Sequence, residues 1–139
     1  MTTAREIMHA GARSIPDHET LDRAAQLMLS LDVGALPVSD SKDRMCGIIT
    51  DRDIVTKCVA HGRDPSKITC GELAEGTPRW IEADADVGDV LREMESHQIK
   101  RLPVIADQKL VGMISEADLA QHLSEGQLAE FVEKVYALS

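Results

Sequence analysis

Two stretches of the chain set a hydroxyl and a carboxylate three residues apart directly after an apolar run. They are Gly47-Ile48-Ile49-Thr50-Asp51-Arg52-Asp53 and Gly112-Met113-Ile114-Ser115-Glu116-Ala117-Asp118. Each reads as a strand that ends, a hydroxyl residue that opens a helix, and an acid one turn in. Taken alone, the pattern is close to a capping box, in which side chains satisfy the first helical N–H groups. The same groups also suit a nucleotide. A carboxylate can accept two hydrogen bonds from a ribose diol, while a hydroxyl and the N–H groups of a helix start receive phosphate. Two features favour this second use: the pattern occurs twice, and Leu-Pro-Val (36–38 and 102–104) precedes it at nearly equal distance each time.

Other reactive side chains are sparse. Cys46, Cys58 and Cys70 match no zinc-ribbon or Cys-x-x-Cys spacing. Cys58 and His61 lie three apart on a predicted helix, but a metal site needs more ligands. The cysteines are read as reduced, partly buried thiols, and no metal site is assigned. The five histidines fall on separate predicted elements and suggest no nucleophile–base pair, so no catalytic role is expected.

The elements that carry these residues repeat. At an offset of 66, Leu21–Val38 lies over Val87–Val104, matching Leu21 with Val87, Ala24 with Val90, Ala25 with Leu91 and Met28 with Met94. That spacing is one face of a helix in both copies. After a one-residue deletion, Gly47–Ile54 covers Gly112–Leu119, and upstream Ala4–Met8 matches Cys70–Ala74. Strands are expected near Ala12–Ile15, Ala35–Ser39 and Met45–Ile49, and near Arg79–Glu82, Arg101–Ala106 and Leu110–Ile114. Short polar turns join the hairpins at Asp40–Arg44 and Asp107–Lys109. The expected organisation is a first repeat over 1–62, a linker over 63–69, a second repeat over 70–123 and an amphipathic helix over 124–139. In that helix Leu128, Phe131, Val132, Val135 and Tyr136 share a face, which must bury against its own chain, a second subunit or a partner.

The 139 residues are 43% hydrophobic with a net charge of −9. The acidic balance argues against nucleic acid and against an anionic membrane surface. No run approaches the roughly 18 apolar residues of a membrane span, and the N-terminus lacks the apolar core of a signal peptide. A cytoplasmic location is expected.

The succession Leu-Pro-Val, Gly-Ile-Ile-Thr-Asp-Arg-Asp, His-Gln-Ile-Lys-Arg-Leu-Pro-Val and Gly-Met-Ile-Ser-Glu-Ala-Asp resembles tandem cystathionine-β-synthase (CBS) domains, over about residues 3–123. The resemblance implies an α/β (α+β) fold: two pseudo-symmetric βαββα repeats packed sheet to sheet as one module, with helices outside. It also implies adenosine-containing ligands (AMP, ADP, ATP, S-adenosylmethionine or a dinucleotide) in clefts between the repeats, with no other cofactor.

By that resemblance Asp53 and Asp118 hold ribose, with Thr50 and Ser115 beside them. Adenine would rest near Ile15, Pro16, Leu36 and Val38, and near Trp80, Ile81, Leu102 and Val104. Lys100 and Arg101 stand where basic residues meet phosphate, with Arg13 and Arg79 as secondary candidates. The first repeat departs from this pattern, carrying Gly34 and Ala35 in place of the basic pair.

The expected function is a regulatory sensor that binds such a ligand, forms a homodimer with the C-terminal segment contributing to the contact, and signals to a separate, unidentified protein. The alternative is a ligand-free dimerisation or protein-interaction module with vestigial nucleotide sites.

Overall fold

The doubled pattern of apolar residues becomes two cores in the computed structural model, which describes residues 2–74 and 79–137. In the first half of the sequence the elements are α1 (Ala4–Ile7), β1 (His9–Ala10), β2 (Ile15–Pro16), α2 (Leu21–Leu31), β3 (Ala35–Ser39), β4 (Met45–Thr50) and α3 (Asp51–Lys57). Short 3-10 turns follow at Val59–His61 and Pro65–Lys67. Next come α4 (Cys70–Leu73), β5 (Ile81–Glu82), α5 (Val87–His97), β6 (Arg101–Ala106), β7 (Lys109–Ser115), α6 (Glu116–His122) and α7 (Glu125–Val135).

The repeat survives in backbone detail. Helices α2 and α5 both end in a left-handed residue, Asp32 at φ 55° and Gln98 at φ 51°. Hairpin β3–β4 shifts register between Val38 and Ser39, and hairpin β6–β7 does so between Val104 and Ile105, positions that coincide at offset 66. The hairpin turns differ. Asp40 accepts from the N–H groups of Lys42 and Arg44 at 2.9 and 3.0 Å, whereas Asp107 and Gln108 both take positive φ, as a two-residue primed turn requires.

The chain divides into two compact units, and their boundaries cross the repeat. One unit runs from Arg13 through α4; the other joins the segment up to Ala12 with everything from Arg79 onward. The leading helices are thus exchanged relative to sequence order. Cys70 and Leu73 of α4 belong to the core of Ile15, Leu21, Ala24, Met28, Leu36, Val38 and Ile49. Ala4 and Ile7 of α1 belong to the core of Val90, Met94, Leu102, Val104, Ile114 and Leu119.

In the first of these units β2 pairs parallel to β3, which pairs antiparallel to β4. In the second, β5 pairs parallel to β6, β6 antiparallel to β7, and β7 antiparallel to β1. Strand β1 was not expected, and the strand placed at Ala12–Ile15 lies instead at Ile15–Pro16. Gly11, at φ +79°, turns the chain between them. Pro16 has no N–H for a second ladder and is tolerated because β2 is an edge strand.

The amphipathic tail is helical as expected. Part of its face is buried on its own unit: Phe131 and Val135 are 0% and 4% exposed, and Leu128 is half-buried. Val132 and Tyr136 remain exposed.

Candidate functional site

Both hydroxyl–carboxylate pairs stand at helix starts, and both close the reciprocal hydrogen bonds of a capping box. At α3, Thr50 N–H donates to Asp53 Oδ2 and Asp53 N–H donates to Thr50 Oγ1, each at 3.0 Å. At α6, Ser115 N–H donates to Asp118 Oδ2 at 2.8 Å, and Asp118 N–H donates to Ser115 Oγ at 3.4 Å. The box fixes the rotamer and direction of each partly exposed acid; at α3 the N–H groups of Asp51 and Arg52 are already taken up by Gly34 O and Asp51 Oδ1.

The two carboxylates keep different company. Asp53 Oδ1 pairs with Lys57 Nζ at 3.3 Å, one turn along α3. Asp118 Oδ2 takes His9 Nδ1 at 2.7 Å; its Oδ1 accepts no hydrogen bond among the described residues. His122, the repeat equivalent of Lys57, reaches the Asp118 carbonyl through Nδ1 at 2.8 Å.

The glycine that opens each motif has a packing role that the sequence did not disclose. A Cβ on Gly47 would lie 2.7 Å from Ala74 Cβ, and one on Gly112 would meet Met8 Sδ and, at 2.8 Å, His9 O. The exchanged leading segments cross the sheets at these two points, where only a hydrogen fits. A glycine at the same place in both repeats was the available signal.

The basic pair stands at one end of the sheet. Arg101 pairs across with Ser115, which places Lys100 and Arg101 beside the start of α6. Lys100 Nζ sits 4.3 Å from the centroid of the Tyr136 ring. Tyr136 Oη donates to Glu116 Oε1 at 2.5 Å, and that hydrogen bond, with some desolvation, pushes the phenol above its ordinary pKa. Gln98 Nε2 donates to the carbonyls of Lys134 and Ala137 at 3.2 and 2.8 Å. The last turn of α7 is therefore tied to residues on both sides of the Arg101–Ser115 pair.

The remaining sequence-derived site residues fall into two groups. Ile15, Leu36 and Val38 are buried in the core of one unit, and Leu102 and Val104 in the core of the other, so what these strands offer a ligand is backbone. Pro16 and Trp80 are exposed, Ile81 is half-buried and Arg13 is exposed. Arg79 pairs with Glu93 at 3.8 Å.

The cysteines face inward. Cys58 and Cys70 are buried and Cys46 is half-buried. The Cys58 thiol donates to Arg63 O at 3.4 Å, away from a metal-binding pose with exposed His61. Burial, with help from nearby Glu19 and Asp22, pushes Cys70 up to about 11. Among the described residues, no three His, Cys, Asp or Glu side chains converge on a metal position. Nor is any helix among them long and apolar enough to cross a membrane.

Comparison with known proteins agrees with this geometry. The CBS domain, as a family, matches residues 4–60 and 71–125. Hypoxic response protein 1 of Mycobacterium tuberculosis is 47% identical over 135 residues, covering 97% of this chain and 94% of that one. The crystal structure of Hypoxic Response Protein I with two coordinated zinc ions superimposes with a TM-score of 0.81 at 49% identity, over 88% of this chain and 100% of that one. A hexameric CBS-CP12 protein from bloom-forming cyanobacteria gives 0.77 at 30% identity, over 96% and 75%. CBS-pair proteins are regulatory, non-catalytic modules, and by its two matched repeats and their shared fold this chain belongs to the CBS domain family as a tandem pair.

Proposed function

We propose that this CBS pair is a sensor for an adenosine-containing ligand (AMP, ADP, ATP, S-adenosylmethionine or a dinucleotide) and relays its occupancy to a separate protein. The observation that carries this reading is Asp118. The capping box orients its carboxylate, Oδ1 accepts no hydrogen bond among the described residues, and Lys100 and Arg101 flank the same helix start. A ribose diol on Oδ1 with phosphate toward the cations uses every one of these groups. Asp53 with Thr50 is the matching position in the other half. There the second carboxylate oxygen is engaged by Lys57, and Gly34 and Ala35 supply no cation, so the site beside Asp118 is the stronger of the two.

A thermal-shift series against adenine nucleotides, S-adenosylmethionine and NAD(H) tests the proposal. A ligand at a hundredfold excess over its dissociation constant should stabilise the protein by about 2.7 kcal/mol. If none shifts the transition at millimolar concentration, the ligand-free interaction module takes precedence. The missing cations of the first half favour that second reading.

A further inference from the structure

We propose that the C-terminal helix is coupled to the ligand site of the second repeat through Tyr136, which holds Lys100 until a phosphate-bearing ligand draws it away. The inference rests on the ligand-binding reading above and assigns that site its output. Tyr136 stands over both groups that flank the Arg101–Ser115 pair: its ring lies beneath Lys100 Nζ and its hydroxyl is on Glu116. Gln98, two residues before Lys100, holds the carbonyls of the same helical turn.

The body of α7 is anchored separately by buried Phe131 and Val135, while Tyr136 is 48% exposed. The residues from Tyr136 onward can therefore move without unseating the helix. A cation over an exposed ring is held weakly, whereas a phosphate oxygen offers the same ammonium a charge-assisted hydrogen bond. Occupancy by a phosphate therefore releases the ring, and by reciprocity a chain lacking the ring binds phosphate more tightly. The first repeat has Gly34 where Lys100 stands and carries no such coupling.

Calorimetric titration with AMP and with adenosine, on wild type, Y136A, Y136F and K100Q, tests the inference. Y136A should bind AMP about two- to fivefold tighter, the span of an exposed cation–π contact, and adenosine with unchanged affinity. Y136F keeps the ring and should gain less than Y136A. In the K100Q background, Y136A should add nothing. AMP should also speed amide exchange in residues 134–137 of the wild-type protein.

Equal AMP affinity in wild type and Y136A, with both folded by thermal denaturation, overturns the coupling. Equal gains in Y136F and Y136A would assign the effect to Glu116 and overturn the Lys100 route. Failure of AMP, adenosine and every other ligand of the thermal-shift series to bind any variant would instead sink the ligand-binding reading on which the inference rests.

Discussion

At the scale of single residues, each motif acid has a structural role in its capping box, and the proposed ligand role is separable from it. Asp118→Asn keeps an oxygen for the Ser115 N–H but loses the charge. It should leave stability within about 1 kcal/mol while weakening an adenosine ligand by roughly tenfold or more, since a hydrogen bond to a charged group contributes about 1.5–3 kcal/mol. Asp118→Ala should lose both affinity and about 0.5–2 kcal/mol of stability. Titration calorimetry beside urea denaturation on the two variants separates the roles, and unaltered affinity in Asp118→Asn would leave the acid a cap alone.

Gly47→Ala and Gly112→Ala should each cost about 1–3 kcal/mol by overpacking, read from the same denaturation curves. The Cys70 pKa, raised by burial above its ordinary value of 9.0, favours the protonated form in the folded state. Its contribution is therefore fully present below about pH 9 and is lost as pH rises towards about 11. A stability profile across that window should fall for wild type more steeply than for Cys70→Ala. The hydroxyl–acid pairs were legible because capping is local chemistry. The glycines' role was not, because the atoms they make room for lie far away in sequence.

The elements show the same division between what is local and what is not. Helices α2 and α5 follow from apolar spacing alone, and they bury Leu21, Ala24 and Met28, and Val90 and Met94, whereas Ala25 is exposed and Val87 and Leu91 are half-buried. Strand β1 has two residues and no periodicity, and exists because β7 offers His9 and Ala10 an edge at Met113 and Gly112. The tail's amphipathic face was readable, but its seat was not: periodicity says which side is apolar, not what covers it. With Phe131 at 0% exposure, Phe131→Ala should destabilise the protein by about 3–5 kcal/mol. Removing residues 127–139 would uncover the core around Val90 and Met94 and should lower the melting temperature.

For the whole molecule, we expect a homodimer at twice the 15.2 kDa chain mass by light scattering. The inward side of the tail is occupied within its own unit, so self-association has to draw on other apolar surface. The first repeat leaves Leu29 84% exposed, with Val33, Val55 and Val59 also open, and these are the apolar side chains it can offer to a contact. Leu29→Glu should therefore weaken the dimer more than Val132→Glu, and a monomeric wild type would refute the dimer outright. Tandem duplication was plain from the 66-residue offset, because two copies of one pattern need no tertiary knowledge. The exchange of leading helices was hidden, because α1 and α4 carry matching residues and either could have served either core.

That exchange has a consequence for the order in which the chain is made. Residues 13–74 form one contiguous unit, able to close as soon as α4 leaves the ribosome. The other unit must bring Ala4 and Ile7 against Leu102, Ile114 and Leu119, and those partners are synthesised about a hundred residues later. Helix α1 is thus made before the interior unit and buried after it, and domains that fold in order of synthesis are here nested rather than sequential. Its apolar residues wait exposed while the interior repeat folds, and closing so long a loop slows the step that buries them.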